Sequence, residues 1–143
     1  MNHLSEILGD KNTGVLQIDA DASVFEAVKL MVESDVGSLL VTEVGEITGI
    51  ITERDYLRYV ALEGRTSKET AVRELMSSPL IVVTLQTTID ECMALMTGQR
   101  IRHLPVVDDG EVVGVVSIGD VVKFTSKKQS SELHFLNEYI NAR

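Results

Sequence analysis

The chain has 143 residues, 44% of them apolar, which suits one compact domain or two small halves sharing a core and excludes wholesale disorder. Its 22 acidic against 13 basic residues give a net charge of −9, which argues against a general affinity for DNA, RNA or an anionic membrane. The single cysteine can form neither an internal disulfide nor a zinc site by itself. No apolar run is long enough to cross a bilayer, and the start Met1-Asn2-His3-Leu4-Ser5-Glu6 lacks the basic, apolar pattern of a secretion signal, so the expected compartment is the cytoplasm.

In chain order, residues 4–8 predict a short helix, stopped by Gly9-Asp10 and a turn around Asn12-Thr13-Gly14. Val15 to Ile18 reads as a strand. Ser23, with Glu26 three residues on, predicts a capping box for a helix whose apolar positions Val24, Ala27, Val28, Leu30 and Met31 share one face. Gly37 to Thr42 is a second strand, Gly45-Glu46 a hairpin turn, and Ile47 to Thr52 a third strand. A helix from Arg54 to Leu62 follows, with Tyr56, Leu57, Val60 and Ala61 on its apolar side. Glu63 to Ala71 is a polar connection. Beyond it come a short helix at 72–76, a strand at 80–84, a helix at 88–96, a strand at 104–107, a hairpin at Asp108-Asp109-Gly110, a strand at 112–117 and a helix from Val121. The tail from Ser131 places Leu133, Leu136 and Ile140 on one stripe, with Tyr139 adjacent.

The organising feature is a repeat. Gly49-Ile50-Ile51-Thr52-Glu53-Arg54-Asp55 recurs as Gly114-Val115-Val116-Ser117-Ile118-Gly119-Asp120, and residues 18–60 align with 83–125 at an offset of 65 without a gap. Identities at this offset include Glu26/Glu91, Leu30/Leu95, Met31/Met96, Leu39/Leu104, Gly45/Gly110, Gly49/Gly114 and Asp55/Asp120. Each copy describes a buried strand that ends on a hydroxyl and opens a helix beside an aspartate. Backbone N–H groups at a helix start, with a hydroxyl and a carboxylate next to them, can hold a phosphate and a sugar. A half of about 60 residues buries too little apolar surface to be comfortable alone, so two halves related by pseudo-twofold symmetry are expected.

On these residues the chain resembles a tandem pair of CBS domains (a Bateman module), of the kind found as small stand-alone bacterial proteins. The G-h-h-[ST]-x-x-D pattern at 49–55 and 114–120 carries the likeness, together with the run Arg100-Ile101-Arg102-His103-Leu104-Pro105-Val106-Val107. The resemblance implies a mixed α/β (α+β) fold of two β-α-β-β-α repeats, with a short N-terminal helix and a C-terminal helix: one CBS domain at 1–70, a second at 71–126 and an amphipathic helix at 127–143. It also implies two clefts that bind adenosine ligands (AMP, ADP, ATP or NAD, sometimes S-adenosylmethionine), a homodimer and a protein effector.

Carried over by position, Asp55 and Asp120 would accept from ribose hydroxyls, and Thr52 and Ser117 would meet ribose or phosphate. Ile18 with Asp19, and Val83 with Thr84, would edge the adenine. Val36 to Leu40 (Val36, Gly37, Ser38 and Leu39 foremost) on one side, and Ile101 to Pro105 with Leu104 on the other, would form the apolar wall. Arg54, Arg100, Arg102 and His103 would neutralise phosphate. Changing Asp55 and Asp120 to Ala would then remove ribose recognition and leave the fold intact.

The copies differ: Arg102-His103 stands where the first has Gly37-Ser38, Gly119 where it has Arg54, and Thr84 where it has Asp19, so the clefts should not be equivalent. No nucleophile–base pair, P-loop or Gly-rich dinucleotide fingerprint is present, so the expected role is regulatory and not enzymatic, with no catalytic cofactor. His103 has no carboxylate or cysteine at ligand spacing, and no metal site is expected. Cys92 lies on an apolar helix face as an inert thiol. The alternative is an interaction scaffold that works independently of nucleotides.

Overall fold

The computed structural model describes residues 2–8, 15–64 and 66–141. In chain order the elements are α1 (Ser5–Leu8), β1 (Gln17–Asp19), α2 (Val24–Ser34), β2 (Ser38–Glu43), β3 (Glu46–Thr52), α3 (Glu53–Glu63), a 3-10 turn (Val72–Glu74), β4 (Val83–Thr84), α4 (Ile89–Gln99), β5 (His103–Asp108), β6 (Glu111–Ser117) and α5 (Ile118–Asn141). The predicted β-α-β-β-α order therefore occurs twice. The turn expected at 9–14 lies outside the described residues. The strand expected at 80–84 shortens to Val83–Thr84, and the one expected at 15–18 shifts to Gln17–Asp19.

Two compact units result, one from residues between 15 and 81, the other from 2–8 together with 82–141. Each has a three-stranded sheet: β1 runs parallel and β3 antiparallel to the central β2, and β4 and β6 flank β5 in the same way. Local chemistry repeats at the 65-residue offset. Ser23 Oγ accepts the Glu26 N–H (3.1 Å) and Thr88 Oγ1 the Glu91 N–H (3.1 Å), capping α2 and α4. Both helices end on a left-handed residue, Asp35 (φ 54°) and Arg100 (φ 56°). Both hairpins turn through two positive-φ residues, Val44-Gly45 (50° and 79°) and Asp109-Gly110 (51° and 79°). The first turn thus falls one residue before the expected Gly45-Glu46, because Glu46 already pairs with Glu43 in the ladder.

The compact units do not follow chain order. The Leu4 N–H donates to Thr87 O (2.9 Å) and the Ser5 N–H to Leu85 O (3.1 Å), which ties α1 to the second repeat. The equivalent bonds from Val72 to Ala22 O (2.8 Å) and Arg73 to Ala20 O (2.9 Å) tie the 3-10 turn to the first. Arg73 reinforces this by pairing with Asp21 (2.8 Å) and Glu43 (2.9 Å). The segment leading into each repeat therefore completes the other repeat's core: Val72 joins Ala27, Met31, Leu39, Val41 and Ile51, and Leu4 joins Cys92, Met96, Leu104, Val106, Val116 and Val121. A cut at residue 70 would separate Val72 from the core it fills.

The motif glycines make room for these segments. A Cβ on Gly49 would stand 2.8 Å from Ser77 O, which accepts the Ile50 N–H (3.1 Å); a Cβ on Gly114 would meet Leu8 Cδ2 at 3.0 Å. On α3 the buried ring is Tyr59, whose hydroxyl pairs with the buried Thr70, while Leu57 and Val60 are exposed, contrary to the expected apolar side. Among the described residues no helix is long and apolar enough to cross a membrane.

Candidate functional site

In each unit the repeated motif builds one strand-to-helix corner. Ser38 pairs with Thr52 at one end of the β2/β3 ladder, and His103 with Ser117 at the same end of β5/β6. Chain entry into the central strand is held against the helix start: the Glu53 N–H donates to Gly37 O (3.0 Å), and the Ile118 N–H to Arg102 O (2.8 Å). This uses one of the N–H groups that a helix start leaves without an intrahelical partner.

The third of these goes to the hydroxyl. Thr52 Oγ1 accepts the Asp55 N–H (3.3 Å), and Asp55 Oδ2 in return accepts the Thr52 N–H (2.9 Å) and hydroxyl (3.0 Å). Ser117 Oγ accepts the Asp120 N–H (3.1 Å), and Asp120 Oδ2 the Ser117 N–H (2.9 Å). Each is a capping box in which Asp replaces the usual Glu or Gln. Both aspartates are half-buried, and the boxes engage Oδ2 in each. The carboxylates are structural, and they also stand at the corner where a helix dipole presents positive charge.

Gly37, Ser38, Thr52, Arg54 and Asp55 are thus brought together in the first unit, and Arg102, His103, Ser117 and Asp120 in the second. Each corner has its own basic group. Arg54 is exposed on the first turn of α3, and Arg102 is exposed on the lead into β5, where its carbonyl holds α5. His103 is half-buried at the first position of β5, and Arg100 is the exposed left-handed cap of α4.

Other predicted positions go elsewhere. Asp19 pairs in register with Thr42, and Thr84 with Val107, four residues along the central strand from Ser38 and His103. At about 3.3 Å per residue that is roughly 13 Å from the corner. Both residues form turns there: Asp19 Oδ1 accepts the Asp21 N–H (2.8 Å), and Thr84 Oγ1 the Gln86 N–H (3.2 Å). Leu39, Leu104 and Val83 are buried members of their units' cores and Pro105 is also buried, while Val36 and Ile18 are half-buried against the first core. Leu39, Leu104 and Val83 therefore face inward and supply no exposed wall.

One apolar residue was missed. Because β1 runs parallel to β2, its entry lies at the corner end of the sheet. Leu16 sits there, its carbonyl accepting the Leu40 N–H (3.1 Å), and is 37% exposed. Its repeat partner Ile81 is 39% exposed. The sequence offered only an apolar residue at both positions of the 65-residue offset, a pattern that a buried strand residue shares. In the second unit a groove of about 550 Å³ also opens beside Asp120, lined by Glu6, Lys123, Lys127 and Lys128 among others. No group of His, Cys, Asp and Glu able to hold a metal occurs among the described residues. Burial pushes the Cys92 thiol up from its ordinary pKa, which keeps it protonated.

Residues 5–62 and 72–127 match the family model described as CBS domain. The chain is 47% identical over 125 residues to the CBS domain-containing protein CBSX3, mitochondrial, of Arabidopsis thaliana, an alignment covering 84% of this chain and 61% of the relative, so it spans under two thirds of that protein's length. Among solved structures, a CBS-domain protein from Burkholderia ambifaria MC40-6 is 44% identical with a TM-score of 0.81, covering 87% of this chain and 93% of that one. A CBS domain pair solved with 5′-methylthioadenosine and S-adenosyl-L-methionine is similar in fold, with a TM-score of 0.77 over 90% of this chain and 98% of that one at 24% identity.

Proposed function

We propose, from the premise that this chain belongs to the CBS domain family, that it is a regulatory module whose repeat units each bind an adenosine-bearing ligand at the strand-to-helix corner. The observation that carries this reading is the repeated corner itself. A half-buried carboxylate, a hydroxyl and a helix N-terminus stand together twice, at a constant offset, with a basic side chain beside each. A carboxylate oriented by the backbone suits a vicinal diol, the helix start suits an anion, and exposed Leu16 offers an apolar surface to a base. A related fold solved with two adenosine-containing molecules supports the same ligand class.

Asp55 and Asp120 receive the ribose hydroxyls in this reading. Arg54 at the first corner, and Arg102 and His103 at the second, offset the charge of a phosphate. The unequal basic sets make the two corners unequal in their preference for anionic groups. Ligand binding shifts a conformational equilibrium, by its differential affinity for the states, and a protein partner reads the shift. Thermal-shift measurements with AMP, ATP, NAD and S-adenosylmethionine test this. At least one is expected to raise the melting temperature in proportion to the logarithm of its concentration, and a flat response to all four at millimolar concentration defeats the proposal.

A further inference from the structure

Helix α5, whose later part was expected to be a separate tail helix, runs unbroken from Ile118 to Asn141. Its first turns form one wall of the groove of about 550 Å³ beside Asp120, and α1 forms the other. The α1 wall is anchored, since the Leu4 and Ser5 N–H groups bond to Thr87 O and Leu85 O (2.9 and 3.1 Å) and Leu4 is buried. Ile7 and Phe124, half-buried against the second core, supply apolar lining. Small-molecule sites have volumes of about 300–1,000 Å³, and this groove falls among them.

Its charges decide what fits. Lys123, Lys127 and Lys128 line the groove with exposed side chains, on a chain whose net charge is −9. Lys123 and Lys127 stand four residues apart on α5, a spacing at which like charges destabilise a helix. Among the described residues no ion pair relieves any of the three. The groove's own carboxylates are engaged with backbone: Glu6 Oε2 accepts the His3 N–H (2.8 Å) and Asp120 Oδ2 the Ser117 N–H (2.9 Å). The occupant that satisfies three clustered ammonium groups is an anion of several charges.

Spacing says what kind of anion. At about 1.5 Å per residue, Lys123, Lys127 and Lys128 stand about 4.5, 10.5 and 12 Å beyond Asp120 along the helix axis. A single phosphate meets one of these groups, whereas a chain of phosphates meets them in turn. The first repeat does not reproduce the row. At the 65-residue offset it has Arg58, Leu62 and Glu63, and α3 ends at Glu63.

We propose that the groove between α1 and α5 binds a condensed phosphate chain of three or more units, held by Lys123, Lys127 and Lys128. The chain is the tail of a ligand whose ribose sits at Asp120, or a free polyphosphate. The site itself does not depend on the ribose reading.

Isothermal titration of the full chain, in buffer free of divalent cations, tests this with sodium tripolyphosphate, orthophosphate and ATP. Tripolyphosphate is expected to bind at least tenfold more tightly than orthophosphate. Lys123→Gln/Lys127→Gln, at two exposed positions, is expected to weaken it at least tenfold. Lys29→Gln/Lys68→Gln removes the same charge from the other unit and is expected to leave binding unchanged. ATP binding more tightly than tripolyphosphate, and weakened by the same groove variant, marks the chain as the tail of an adenosine ligand. Tripolyphosphate binding as tightly as ATP marks a free polyphosphate, and either result supports the site. No tripolyphosphate binding at millimolar concentration, or the same affinity in the two double variants, overturns it. Tripolyphosphate has no ribose, so this site and the ribose assignment fail separately.

Discussion

Asp55→Ala separates the carboxylate's structural work from its proposed contact with ligand. In the free protein Oδ2 accepts two bonds from Thr52, at 2.9 Å from the N–H and 3.0 Å from the hydroxyl. Removing it strands a half-buried backbone N–H at a helix start. Losing a cap costs about 0.5–2 kcal/mol, and losing a bond to a buried charge about 1.5–3 kcal/mol. The box is only half-buried, so the loss should be about 1–1.5 kcal/mol, near a tenfold drop in the folding constant. The corner therefore does not tolerate alanine without cost, although a domain with about 5–15 kcal/mol of stability stays folded. Urea unfolding followed by circular dichroism measures this for Asp55→Ala, Thr52→Ala and the double variant. Thr52→Ala removes the hydroxyl from the same box, so the double loss should fall short of the sum of the singles by about 0.5–1 kcal/mol. Additivity, or an unchanged midpoint for Asp55→Ala, refutes the box.

Gly49→Ala forces a Cβ against the Ser77 carbonyl at 2.8 Å, a group fixed by its bond to Ile50, and should cost about 1–3 kcal/mol. Gly114→Ala meets only the end of the Leu8 side chain and should cost clearly less; equal urea midpoints would contradict this. Val44 is fully exposed at φ 50°, where a β-branched residue is strained, so Val44→Asn should raise stability by about 1 kcal/mol, and a lower midpoint would count against the strain. Cys92, buried and held protonated, should resist a thiol reagent in the native protein and react on unfolding, and stability should fall as pH rises through the ordinary thiol value.

The sequence carried the repeat well because the repeat is written in local chemistry. Positive-φ positions recur at 35/100, 44/109 and 45/110, and the paired hydroxyls and aspartates sit at the helix starts they predict. It did not carry the exchange of lead segments, since the apolar spacing of Leu4-Ile7-Leu8 and Val72-Leu75-Met76 specifies a face and not its partner. Nor did it carry strand register, which sets Asp19 and Thr84, the residues expected to edge the adenine, four residues along the central strand from the corner. Tyr59 outranked Tyr56 because its hydroxyl found a buried partner in Thr70, a tertiary fact invisible to periodicity. The helix from Val121 and the amphipathic helix at 127–143 were expected as separate elements yet form one, because the serines and glutamine between them are tolerated inside helices.

Isothermal titration of AMP into the wild-type chain and into Asp55→Ala/Asp120→Ala, with folding of both checked beforehand, tests the central claim most directly. Saturable binding to wild type, weakened at least tenfold in the double variant, is the predicted result. Binding of equal strength to both proteins would show that the paired carboxylates serve only to cap their helices, and the ribose assignment would be wrong.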